Sequence, residues 1–219
     1  MWKWIFLSLL SCASLYGEEA QPKQVNVQYV LLALPADTFG LDVNKYWATM
    51  KANYGTHVEP EIRNYPPHCT VIGFFTPKHS VKFYTNKLKS AVKATKNKSI
   101  SVVKLVQGPL KNKKYFDYIQ LKSSSLLACA KRFAKSAGIS SSLIKGQSGD
   151  VPYHITLTDY RYKKKWNLLH PKANQRTLIK GFENQIHLHA SAFWQVALLK
   201  QTDNQPLTLV TPLIPFSHN

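Results

Sequence analysis

The chain has 219 residues, 44% of them hydrophobic, and carries 29 Lys and Arg against 11 Asp and Glu, a formal net charge of +18. That length and composition suit one substantial domain or two small fused lobes with a real core, and exclude a low-complexity chain. So few acidic residues make a carboxylate-based two-metal nuclease hard to assemble, while the positive field favours phosphate-bearing ligands.

The first segment differs in character from the rest. Met1-Trp2-Lys3-Trp4 precedes an apolar run from Ile5 to Leu10, then small and polar residues up to Gly17. Residues 1–17 read as a signal peptide and 18–24 as a linker, which predicts a secreted or periplasmic protein. Leu9-Leu10-Ser11-Cys12 also resembles a lipoprotein box that would leave Cys12 acylated, although the apolar run is short for it. No other segment is apolar enough to cross a membrane.

A domain is expected over 25–205. Residues 25–35 alternate and then become fully apolar, as a central strand does. Asp42 to Tyr54 reads as a helix stopped by Gly55. A strand over His68–Phe75 is followed by an amphipathic helix over Ser80–Lys96 and strands over Ile100–Val106 and Tyr115–Leu121. Ser125–Ala137 reads as a second amphipathic helix closed by Gly138. A strand over Tyr153–Tyr160, a helix over Ala173–Lys180 and a strand over Phe193–Leu199 complete the domain. The proline-rich tail, 206–219, is expected to pack irregularly or as an edge strand.

Two of these strands carry the same triplet, His68-Cys69-Thr70 and His154-Ile155-Thr156, placed 86 positions apart. Residues i and i+2 of a strand share a face, so each triplet offers an imidazole beside a hydroxyl while Cys69 and Ile155 turn away. Two histidines on one cleft can act as general base and general acid, the chemistry of phosphodiester cleavage without a metal. A lone strand histidine is more often a satisfied buried ring. His189-Ala190-Ser191 has the same spacing but a weaker context. His187-Leu188-His189 lacks further zinc ligands, and the Gly146-Gln147-Ser148-Gly149 run is no nucleophile elbow. Cys69 and Cys129 read as buried free thiols. No metal and no cofactor are expected. Among residues near the site strands, Tyr115, Phe116, Tyr153 and Tyr160 are candidate base-stacking contacts, and Thr158 a candidate cleft residue.

With its two His-x-Thr motifs, the chain resembles the 2H phosphoesterase superfamily, whose members include 2′-5′ RNA ligase-like proteins and cyclic nucleotide phosphodiesterases. The resemblance is closest to the phosphoesterase domain of the TULA (T-cell ubiquitin ligand) proteins. It rests on His68–Phe75, Tyr115-Phe116-Asp117-Tyr118-Ile119, Phe133–Ala137, His154–Leu157 and Trp194-Gln195-Val196-Ala197. It implies an α+β, bilobal 2H phosphoesterase fold: two pseudo-symmetric lobes of antiparallel sheet plus helices around a central cleft. It further implies that His68 and His154 form the acid–base pair and that Thr70 and Thr156 bind phosphate. The expected substrate is a 2′,3′-cyclic phosphate or 2′-linked phosphodiester of RNA or a nucleotide, or a cyclic dinucleotide. The competing expectation is an RNA- or polyanion-binding module with little turnover. A monomer is expected in either case.

Overall fold

Fully apolar from Tyr29 to Leu34, the first strand has little polar surface to show solvent and takes the middle of a sheet. In the computed structural model the described residues are 25–36, 38–54, 66–106, 115–147, 152–160, 180–182, 184, 193–203 and 205–217. The elements run β1 (Val27–Pro35), α1 (Thr38–Tyr54), β2 (Cys69–Phe75), α2 (Val81–Lys93), β3 (Ser101–Val106), β4 (Tyr115–Lys122), α3 (Ser124–Ala137), β5 (His154–Tyr160), β6 (Trp194–Thr202), β7 (Thr208–Leu209) and β8 (Ile214–Ser217). The expected signal peptide, the basic runs at 111–114 and 163–165, His187, His189 and most of the helix expected over 173–180 lie outside the described residues.

The fold is α+β. Eight strands form one antiparallel sheet in the order β3-β4-β5-β2-β1-β6-β7, with β8 also on β6. The two halves expected from the sequence are halves of this one sheet. They meet at β2 and β5, which pair only at Cys69 and Ile155, whereas β1 and β6 pair along their whole length.

One face of the sheet carries the main core. Cys69, Ile155, Leu31, Ala33, Val196 and Leu198 point into it, and α2 and α3 cover them with Tyr84, Leu88, Ala91, Leu126, Cys129 and Phe133. Both helices have the stripe of apolar positions that such a seat requires. Ser80 caps α2 by accepting from Phe83 N at 3.3 Å, and Ser123 caps α3 by accepting from Leu126 N at 2.9 Å. Gly138, at φ 66°, closes α3 in the left-handed conformation that favours glycine. Cys69 and Cys129 are both buried and free; burial pushes their thiols up to about 12 and about 11.

Two boundaries differ from the sequence reading. Helix α1 starts at Thr38 rather than Asp42, with Gly40 seated where a Cβ would come within 3.2 Å of the Pro35 carbonyl oxygen. The sheet also runs past 205: the tail, expected to pack irregularly or as an edge strand, adds β7 and β8 to β6, and Phe216 is buried. Backbone amides that β6 would otherwise leave bare are met there: Trp194 N donates to Ser217 Oγ and Leu198 N to Thr211 Oγ1, each at 3.0 Å.

Candidate active site

The antiparallel seam places the two His-x-Thr triplets against each other. Cys69 lies opposite Ile155, so extending the register one residue each way sets His68 opposite Thr156 and Thr70 opposite His154. Because Cys69 and Ile155 point into the core, these four side chains occupy the other face. All four are partly buried. Facing residues on adjacent strands are about 5 Å apart, so the site is a small quadrilateral of two imidazoles and two hydroxyls.

Each imidazole is held in the same way. His68 Nδ1 donates to the Pro66 carbonyl oxygen at 2.8 Å, and His154 Nδ1 donates to the Pro152 carbonyl oxygen at 2.8 Å. A carbonyl can only accept, so Nδ1 carries the hydrogen and the basic nitrogen of each neutral ring is Nε2. Proline fixes its own φ and thereby stiffens the lead-in that presents the carbonyl. The pair Pro66 and Pro152, each two residues before its histidine, is a sequence signal that the triplets alone do not convey.

Desolvation by burial lowers the pKa of His68 below 6.5; the Pro66 hydrogen bond opposes this, and the nearby charge of His154 adds to the lowering. His68 is therefore poised to be neutral when an exposed imidazole would already be charged.

The flanks of the site differ. On the β5 side, Gln120 pairs with His154 and Tyr118 with Thr156, which puts both on the site face. The Tyr118 ring meets the His154 ring edge-on, with centroids 5.4 Å apart and planes at 65°. Neither Tyr118 nor Gln120 was singled out as a site residue from the sequence, because their place depends on the register of β4 against β5. On the β2 side, Leu32 pairs with Thr70, so Leu34 falls beside His68. Beyond Leu34 opens a cavity of about 780 Å³, lined by Pro66, Pro67, Gln195, Leu199, Leu207 and others and free of charged side chains.

The structure does not bring every expected residue to this face. Tyr153 is 4% exposed and belongs to the core cluster, opposite in the pleat to its neighbour His154 and so away from this face. The backbone register pairs Tyr115 with Tyr160, Phe116 with Asp159 and Asp117 with Thr158; the side chains of Tyr115, Phe116, Thr158 and Tyr160 lie outside the described residues. Among the described residues no cluster of three or more His, Cys, Asp or Glu could hold a metal.

No protein-family model matches the chain, and no curated protein matches it in sequence. Among solved structures, the chain is similar to Usb1 of Kluyveromyces marxianus, with 12% identity and a TM-score of 0.38 over 84% of this chain and 97% of that one. A second structure of that protein, with uridine monophosphate, gives 13% identity and a TM-score of 0.36 over the same shares. At this distance the likeness does not bear on the site, and the chemistry rests on the geometry of the chain itself.

Proposed function

We propose that this protein is a metal-independent phosphodiesterase of the 2H type, cleaving a 2′,3′-cyclic phosphate or a 2′-linked phosphodiester in RNA or a nucleotide. The observation that carries the reading is the pairing of Cys69 with Ile155, which sets the two triplets against each other, each imidazole anchored through Nδ1 on a proline carbonyl. This arrangement supplies two proton-transfer groups with Nε2 on one face, flanked by two hydroxyl donors.

In the hydrolytic direction, neutral His68 takes the proton from the attacking water. Protonated His154 gives one to the departing ribose oxygen, so the proton count balances across the pair. Each such transfer contributes typically 10²–10⁴-fold. Thr70 and Thr156 donate to the non-bridging oxygens as charge builds on phosphorus. Tyr118, set edge-on against His154, fixes that ring's plane. Cleavage of a cyclic dinucleotide uses the same groups. The resemblance to TULA phosphoesterase domains supports this family placement. We further place the mature protein as an exported monomer, which N-terminal sequencing of the secreted chain and light scattering test.

The deciding experiment is turnover of 2′,3′-cyclic nucleotides, 2′-5′ oligomers and cyclic dinucleotides in the presence of EDTA. His68→Ala and His154→Ala are each expected to lower kcat by about 10²–10⁴-fold while leaving the fold intact. Undiminished turnover in either variant, or abolition by EDTA, sinks the two-histidine mechanism. RNA binding without any turnover would put the binding module in its place.

A further inference from the structure

The net charge is unevenly placed along the chain. Residues 76–149 hold 16 of the 29 Lys and Arg but only one of the 11 acidic residues, Asp117. Most of the +18 therefore resides in about a third of the sequence. This stretch includes α2 and α3, neither of which contains an Asp or Glu.

The fold gathers part of that charge on one surface. The buried stripes of α2 and α3 face the sheet, leaving Lys82, Lys89 and Lys93 of α2 and Lys131, Arg132 and Lys135 of α3 exposed on the outside. The helices pack side by side on the core face of the sheet, so these six cations share the side of the molecule remote from the histidines. Helix α2 is about 20 Å long at 1.5 Å per residue, enough to run past several successive phosphates.

We propose that the outer face of α2 and α3 is a second binding surface, for the phosphate backbone of a polynucleotide. It is separate from the histidine cleft and does not depend on that cleft being catalytic. Charge complementarity points to a polyanion, and the rest of the surface narrows the class. A membrane-docking helix face presents large apolar residues between its cations. Of the exposed large hydrophobics among the described residues, only Val81 lies on α2 and none on α3. A protein partner would want aromatic or aliphatic anchors at the centre of the patch, and the exposed positions between the lysines are Asn86, Ser90, Ser124 and Ser136. Such a surface holds a backbone without reading sequence.

The test is fluorescence polarisation of a labelled 20-nucleotide single-stranded DNA, which lacks the 2′-hydroxyl, across a salt series. Wild type is expected to bind with a steep negative slope of log K against log salt, close to 0.7 per phosphate neutralised. Lys89→Glu/Lys93→Glu/Lys135→Glu is expected to weaken binding at least tenfold and flatten the slope. The milder Lys→Gln triple should do the same in part, while turnover of a small cyclic nucleotide is unchanged in both. His68→Ala is expected to bind the probe as wild type does, so loss of the cleft chemistry leaves this outcome standing. Binding that survives both triple variants with its slope unaltered overturns the proposal. Retention on anionic phospholipid vesicles without oligonucleotide binding overturns it in favour of a membrane.

Discussion

His68 differs from a surface histidine in both nitrogens: Nδ1 is committed to Pro66, and the ring is desolvated beside a second imidazole. Its NMR titration midpoint is expected below 6.5. In His154→Gln the midpoint should rise, because a like charge is removed, yet stay below 6.5, because the larger cause, burial, remains. A midpoint at or above 6.5 in wild type would take the proposed base role from His68. The sign carries over to stability. Below pH 6.5 the unfolded chain takes up a proton that the folded ring refuses, so folding loses free energy as the pH falls until the folded ring also titrates. At this scale the site was half legible. Period-2 alternation predicts the shared face of His68 with Thr70 and of His154 with Thr156. The same alternation places Tyr153 on the opposite face from His154. Tyr118 and Gln120 were not legible, since a bulge between Asp117 and Tyr118 sets the pairing of β4 with β5.

A short segment ties the two site strands together. Ile144 bridges Ile72 beside β2, and Lys145 N donates to the Val71 carbonyl oxygen at 2.9 Å. Gly146 then lies against Tyr153, the residue that leads into His154. Its φ is +72°, and a Cβ built there would fall 2.6 Å from the Tyr153 ring. Gly146→Ala is therefore expected to cost more than about 2 kcal/mol, combining left-handed strain with overpacking, and to lower kcat by displacing His154. Gly138→Ala is the contrast. It has φ +66° but open space around it, so a cost of about 1 kcal/mol without loss of turnover is expected. Urea midpoints and kcat/KM for the two variants separate these outcomes; equal effects would contradict the coupling. The helices α2 and α3 were legible within a few residues because their apolar stripes and caps are local. The tail was expected to pack irregularly or as an edge strand, and β7 and β8 realise the second; two and four residues long, the latter containing Pro215, they owe their bounds to β6 rather than to their own propensity.

For the molecule as a whole, the tail is part of the folding unit. A chain ending at 205 would lose the partners of Trp194 N and Leu198 N, expose part of the β6 edge and strip Phe216 from the core. Such a truncation is expected to lower Tm by well over 10 °C, given several kcal/mol lost from a domain of this size, and to favour aggregation through the bare edge. Scanning calorimetry and light scattering check this, and a truncated chain with unchanged Tm would show 206–219 to be dispensable to the folding unit. Fold class was readable at this scale because interspersed strand and helix patterns leave few architectures. That the two halves would share one sheet, joined at a single paired position, was not. Strand order depends on long-range pairing, which no local pattern records.

The seam between β2 and β5 has one more consequence. Rotating the two triplets by half a turn about the point between Cys69 and Ile155 exchanges His68 with His154 and Thr70 with Thr156, so the proposed reactive centre has no head or tail of its own. A phosphodiester seated there either way round meets an imidazole at each end. The reverse reaction, closing a ring or joining two ends, calls on the same pair with donor and acceptor interchanged. Direction must then come from what breaks the rotation: Tyr118 and Gln120 at one end, and Leu34 with its aliphatic groove at the other.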